Sequence, residues 1–171
     1  SALIKTLEKL DILILNHGIN PQGRQTPNDL SQALEVNALS SWRLLKDFET
    51  IALRGSDRPQ SREIWVNTSE AEIQPALSPG YELSKRLIGQ LVSLRWNNLS
   101  RTEKETFKIR KLILGPFRSK LNPIGLMSAD WVAKQIIFQA KSGFTLIIVT
   151  PNPVTYLLMP LHELCRTIYS K

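Results

Sequence analysis

Only one of the 171 residues is a cysteine, Cys165, so no internal disulfide can form and a reducing compartment, the cytoplasm, is expected. Glycine is thinly spread: the eight glycines stand singly, and no glycine-rich loop of the kind that cradles a phosphate at a helix N-terminus can be assembled from them. No apolar run is long enough to span a bilayer, and the opening residues Ser1-Ala2-Leu3-Ile4-Lys5 lead directly into an amphipathic segment rather than a secretory signal. Aromatic residues make up only 7% of the chain and do not alternate with the basic ones, which removes a stacking platform for nucleic acid bases.

What is present is the composition of a globular protein, 42% apolar and 22% charged, with a length expected to form a single domain over 1–171. The net charge of +7 directs attention to where the cations lie. Arg95, Arg101, Lys104, Lys108, Arg110 and Lys111 cluster in sequence against Glu103 and Glu105, with no recognisable nucleic-acid module around them. The cluster reads as a solvated connection, and no nucleic acid partner is expected.

Apolar patterning alternates between two periods. Leu10 to Leu15, Ile64 to Ser69, Ile109 to Leu114 and Leu146 to Val149 are short apolar runs that read as strands, the first of them as a strand buried on both faces. Between them lie helical patterns over 28–54, with Thr26 or Asn28 as cap, over 79–99, and from a cap at Ser128. Gly89 falls in the middle of the second helix and suggests close packing there. Val154 to Tyr169 is apolar and is expected to be broken by Pro160. The alternation implies an α/β fold: a Rossmann-like three-layer α/β/α sandwich on a mostly parallel sheet of about four strands, with right-handed crossovers. In such sheets ligands bind beyond the carboxyl ends of the strands, where Asn16, Ser69 and Gly115 would stand together.

Two residues at helical spacing carry the chemistry. Tyr81 and Lys85 are four apart at the start of the 79–99 helix, phenol beside ammonium, and an adjacent cation is expected to lower the phenol pKa. Asn37 lies inside an apolar stripe and must find partners, as a structural bracket or as a site residue.

Read together, these segments resemble the short-chain dehydrogenase/reductase family over nearly the whole chain. Asn16-His17-Gly18 is similar to its Asn-Ala-Gly turn, Glu35-Val36-Asn37 to its helical asparagine, and Val66-Asn67-Thr68-Ser69 to its serine strand. Tyr81-Glu82-Leu83-Ser84-Lys85 resembles its Tyr-x-x-Ser-Lys signature, and Leu114-Gly115-Pro116-Phe117 its Pro-Gly turn. The resemblance implies hydride transfer between NAD or NADP and a carbonyl or alcohol substrate. On it, Tyr81 moves the hydroxyl proton, Lys85 tunes Tyr81 and binds the nicotinamide ribose, Ser69 holds the substrate oxygen, and Asn37 keeps a relay water in place. Asn16, Gly18, Gly115 and Pro116 line the cofactor.

The chain also departs from the family. Ser69 precedes Tyr81 by twelve residues, one fewer than usual, and Glu70 replaces a second serine, which leaves Thr68 as an alternative hydroxyl. His17 stands where the family keeps a small residue, facing solvent or taking a role. The family's glycine-rich turn is absent, so the chain is expected to be a catalytic portion without upstream strands, inactive by itself, or else a non-catalytic interaction module of the same fold. The Leu10–Leu15 strand would then be an apolar sheet edge that favours a homo-oligomer. The apolar C-terminal segment is expected to shape the pocket or a subunit contact, with peripheral membrane attachment through Tyr156-Leu157-Leu158-Met159 as the less favoured reading.

Overall fold

The computed structural model describes residues 2–54 and 61–169; most of the loop expected between Arg54 and Arg62 lies outside the described residues. Four strands, β1 (Ile12–Leu15), β2 (Arg62–Asn67), β3 (Phe107–Leu114) and β4 (Leu146–Val149), form one sheet in the order β1-β2-β3-β4, and every pair is parallel. Register places Leu15 beside Val66 and Asn67 beside Leu112, so β1, β2 and β3 end on one common edge.

The helices are α1 (Ala2–Leu7), α2 (Pro27–Leu34), α3 (Ser40–Arg54), α4 (Pro79–Asn98), α5 (Arg101–Thr106), α6 (Ala129–Lys141) and α7 (Pro153–Tyr169). They cover both faces of the sheet, giving a Rossmann-like α/β sandwich. One face is packed by α3 and α4 through Leu45, Phe48, Ile88 and Val92 against Ile64, Val66 and Ile109, and by Met159 of α7 against Ile113 and Ile148. On the other, Val132 and Ala140 of α6 meet Trp65, Leu112 and Ile147. Thr26 caps α2 by accepting from Asp29 N, and Ser128 caps α6 by accepting from Trp131 N.

Several sequence expectations meet the structure differently. The strand β1 is not buried on both faces: Ile12 is 46% and Ile14 53% exposed, because both point to the sheet face of Trp65, which α6 covers only toward β3 and β4. The helix read over 28–54 is helical throughout, with a π-helical turn at Glu35–Leu39 where Asn37 bonds Ile19 in the turn after β1. Pro160 does not break α7; the core contacts of Met159 hold the helix through the hydrogen bond that proline cannot make. Within the stretch Tyr156–Met159, Tyr156 and Leu157 are exposed while Met159 is fully buried in the core. No helix among the described residues is long and apolar enough to cross a membrane.

The basic cluster is a solvated connection only over Arg101–Thr106, which has no buried residue; its two flanks are paired within the fold. Arg110 grips Glu63 with two hydrogen bonds of 2.7 Å, and Lys108 approaches the same carboxylate at 3.6 Å. Arg95 bonds Glu49 at 2.7 Å, Arg101 faces Glu105, and Lys104 lies over the Trp96 ring. Lys111, buried inside β3, donates to Glu72, to Ser93 at 2.7 Å and to Glu163 at 2.7 Å, using all three of its protons. Arg95, Arg110 and Lys111 are thus paired within the protein, whereas Arg101 stays on the surface.

Gly89 gives this cluster its room. A Cβ there would overlap the Glu72 carboxylate, so α4 passes the Lys111–Glu72 pair at a distance only glycine permits. Gly89→Ala is therefore expected to destabilise the fold by about 2 kcal/mol or more in urea unfolding, despite alanine's better helix propensity. A gain of stability would contradict this packing account.

Candidate active site

Beyond the carboxyl ends of β1, β2 and β3 lies a cleft of about 690 Å³, lined in part by Asn16, Asn67, Ser69, Tyr81, Lys85 and Gly115. The chain that leaves each strand supplies a different piece of it. After β1, Asn16 accepts a 2.7 Å hydrogen bond from Asn67 Nδ2, and Gly18 turns close against Asn37, where a Cβ would sit 3.0 Å from Oδ1. After β3, Gly115 lets the backbone pass directly over Thr150 at the end of β4, and Pro116 follows on the cleft wall.

The turn after β2 holds the strained piece. Ser69 has φ 67 and ψ 156, a region that costs a non-glycine residue about 1–3 kcal/mol. Three contacts keep it there. Its N–H donates to Asn67 Oδ1 at 3.0 Å, its hydroxyl accepts from Ala71 N at 3.3 Å, and the following Glu70 carboxylate accepts from the hydroxyls of Thr150 and Thr155. The Ser69 hydroxyl and Tyr81 both line the cleft, and the serine's nearness favours the phenolate. Thr68 is turned away, fully buried with its hydroxyl toward Leu112 O, so of the two hydroxyls only that of Ser69 faces the cleft.

Tyr81 and Lys85 come from the first turns of α4, with Lys85 Nζ 5.6 Å from the centre of the Tyr81 ring. Burial raises the Tyr81 phenol above its ordinary value and the Ser69 hydroxyl offsets this only in part, so the lowering expected from Lys85 does not emerge. The lysine itself carries the larger perturbation. It is buried with no carboxylate partner among the described residues, donates to Asn67 O at 2.8 Å, and burial alone lowers its pKa to about 8. Its other two donors are left for the cleft.

Asn37 belongs to the frame rather than the cleft wall. Its side chain accepts from Ile19 N at 2.8 Å and donates to Ile19 O at 2.9 Å and to Ser84 Oγ at 2.8 Å, pinning the turn after β1 to α4. His17 is exposed and hydrogen-bonded to Ser40 at 3.0 Å. Sequence reasoning passed over Asn67, whose side chain joins Asn16 to Ser69 and whose carbonyl anchors Lys85. A polar residue at the end of an apolar strand was its only signal. Glu70, read as a mere substitution, proves to be the anchor of the serine turn.

The residues fit the nicotinamide end of a dinucleotide: a concave site, glycine-lined backbone at Gly18 and Gly115, and a buried ammonium with unspent donors. Lys85 also has a measurable signature. Its folded pKa lies below the unfolded value, so the folded state is penalised while the unfolded lysine is charged and the folded one neutral or unwillingly charged; the penalty is full below about pH 8 and fades as pH rises toward 10. Lys85→Met is expected to stabilise the fold at pH 7 by about 2–3 kcal/mol and to abolish the rise in stability between pH 8 and 10. Chemical denaturation across that range checks it, and a destabilised variant would contradict it.

No family model matches the chain. Over 163 residues it is 45% identical to the monoglucosyldiacylglycerol epimerase of Synechocystis sp., a match covering 95% of this chain but 38% of that protein, so the chain spans about two fifths of the curated relative's length. Among solved structures it is similar to a short-chain dehydrogenase from Sphingobium yanoikuyae in complex with NADPH, with a TM-score of 0.77, 17% identity, and 99% of this chain and 70% of that one covered. It is similar also to a bulky-bulky ketone specific alcohol dehydrogenase from Comamonas testosteroni, with a TM-score of 0.75, 18% identity, and 99% and 68% covered. A short-chain dehydrogenase from Burkholderia cenocepacia in complex with NADP gives a TM-score of 0.74, 12% identity, and 93% and 66% covered. The chain has the fold of the short-chain dehydrogenases/reductases and spans about two thirds of it.

Proposed function

We propose that the chain is the proton-transfer part of an NAD- or NADP-dependent oxidoreductase of the short-chain dehydrogenase/reductase family, acting on a carbonyl or secondary alcohol. The observation that carries the reading is Lys85: an ammonium buried without a carboxylate partner among the described residues, beside a phenol that shares its cleft with a strained serine. Both the lysine and the serine cost stability. A non-catalytic module of the same fold has no use for either expense, which weighs against that alternative.

Ser69 Oγ and Tyr81 Oη would grip the substrate oxygen from one side. In the oxidative direction Tyr81 accepts the hydroxyl proton as the carbinol carbon loses its hydride; in the reductive direction it returns that proton to the carbonyl oxygen. A nicotinamide dinucleotide, when bound, accepts or supplies the hydride. Lys85, held by Asn67 O, would place its free donors on the nicotinamide ribose and stabilise the phenolate as it forms, an effect that needs the bound substrate to exclude water. Asn16, Gly18, Gly115 and Pro116 would face the cofactor, and Asn37 would act by holding the Gly18 turn. With no glycine-rich loop among its residues, the chain leaves the pyrophosphate to be held elsewhere in the polypeptide, and is expected to turn over poorly alone.

The 45% identity with an epimerase favours one use of this chemistry. Inverting a carbinol carbon needs the same site twice: hydride and proton leave, and the ketone takes both back on its other face with no net oxidation. A sugar hydroxyl on a glycolipid is then the proposed alcohol. Tyr81→Phe is expected to lower kcat by about 100-fold or more with cofactor affinity unchanged, measured in steady-state assays beside Ser69→Ala. Unchanged turnover in Tyr81→Phe would overturn the assignment.

A further inference from the structure

The cleft is entered between two segments whose outward residues are the wrong kind for water. On one side, in the loop that leads into α4, Leu77 is 100% exposed. On the other, residues 116–127 form a loop closed by hydrogen bonds from Leu126 N to Pro116 O and from Arg118 N to Met127 O. That closure turns Ile124 and Leu126 outward, 88% and 73% exposed, while Leu121 reaches into the cleft wall. Closed by its own hydrogen bonds, the loop presents these side chains on a built surface rather than a frayed one.

Charge distinguishes this rim from an ordinary apolar patch. Between Gly115 and Ala129 the sequence has Arg118 and Lys120 and no carboxylate, and neither cation is ion-paired among the described residues; Asp130, the first acid beyond, lies in the first turn of α6. In the 95–111 cluster, by contrast, each cation has a partner: Arg95, Lys108, Arg110 and Lys111 pair with carboxylates across the fold, Arg101 with Glu105 on the surface, and Lys104 with the Trp96 ring. Exposed leucine and isoleucine side chains interspersed with exposed cations that have no carboxylate partner among the described residues, Arg118 donating only to Gly125 O at 3.2 Å, match the boundary of an anionic bilayer, where the apolar residues enter the acyl region and the cations meet headgroups.

We propose that this rim docks the mouth of the cleft onto an anionic lipid surface, so that an alcohol carried on a lipid headgroup enters without leaving the membrane plane. The purpose of the docking rests on the hydride-transfer reading, but the docking is measured without turnover. The test floats the 171-residue chain with vesicles of phosphatidylcholine alone and with about 30 mol % phosphatidylglycerol. The chain is expected on the anionic vesicles and to leave them as salt is raised. The triple variant Leu77→Ser, Ile124→Ser, Leu126→Ser is expected to lose about tenfold or more in binding, and Arg118→Ala with Lys120→Ala about tenfold on anionic vesicles alone. Leu161→Ser with Leu164→Ser, on the exposed side of α7, is expected to bind normally. Failure to bind anionic vesicles, binding unaffected by the rim variants, or a chain whose self-association the triple variant abolishes would each overturn the proposal. Tyr81→Phe, which removes only the proposed proton donor, is expected to bind vesicles as the unaltered chain does, and this keeps the two readings separate.

Discussion

The hydrogen bond from Lys85 Nζ to the carbonyl of Asn67 joins a helix to a strand end, and the rest of the site is arranged around it. A lysine buried with only a carbonyl for company is a poor stabiliser, and burial lowers its pKa to about 8. It is kept in place by the sheet. Parallel register brings β1, β2 and β3 to one edge, so that Asn67 bonds Asn16 on one side, orients the N–H of Ser69 on the other, and offers its carbonyl to α4. Rigid neighbours take the cost: Glu70 is clamped by Thr150 and Thr155, and Glu72 by Lys111, so Ser69 just before them has little freedom to relax its positive φ.

This division explains where the charges went. A basic protein was expected to wear its cations outside, yet Arg110 and Lys111 lie within β3 and are satisfied by Glu63, Glu72 and Glu163. Such pairs add little net stability but strongly penalise any arrangement that separates them. They fix β2, the serine turn, β3, α4 and α7 relative to one another, which a site built from four separate segments requires.

The fold was legible because its signals are periodic and local. Strands β3 and β4 and helices α4 and α6 announce themselves through apolar spacing and caps such as Ser128. The π-helical turn at Asn37 was not, since its cause lies across the fold in the backbone of Ile19. Nor was the exposure of Ile12 and Ile14, for an apolar strand reads the same whether or not a helix covers it. Within the candidate site, spacing placed Tyr81 and Lys85 on one helix face, whereas which of Ser69 and Thr68 faces the cleft needed the backbone angle at the turn. The tyrosine's proton affinity was misjudged because sequence spacing shows a neighbouring charge but not the burial that outweighs it.

The central claim is that these residues serve a hydride transfer and that protons alone pass through Tyr81. Following a secondary alcohol deuterated at its carbinol carbon, with the protein and its nicotinamide cofactor, tests it directly by mass spectrometry. The account predicts that the label moves to the nicotinamide ring or returns to the carbinol carbon and never exchanges with water. Label washing out into solvent would mean that the carbon loses a proton, and would contradict it.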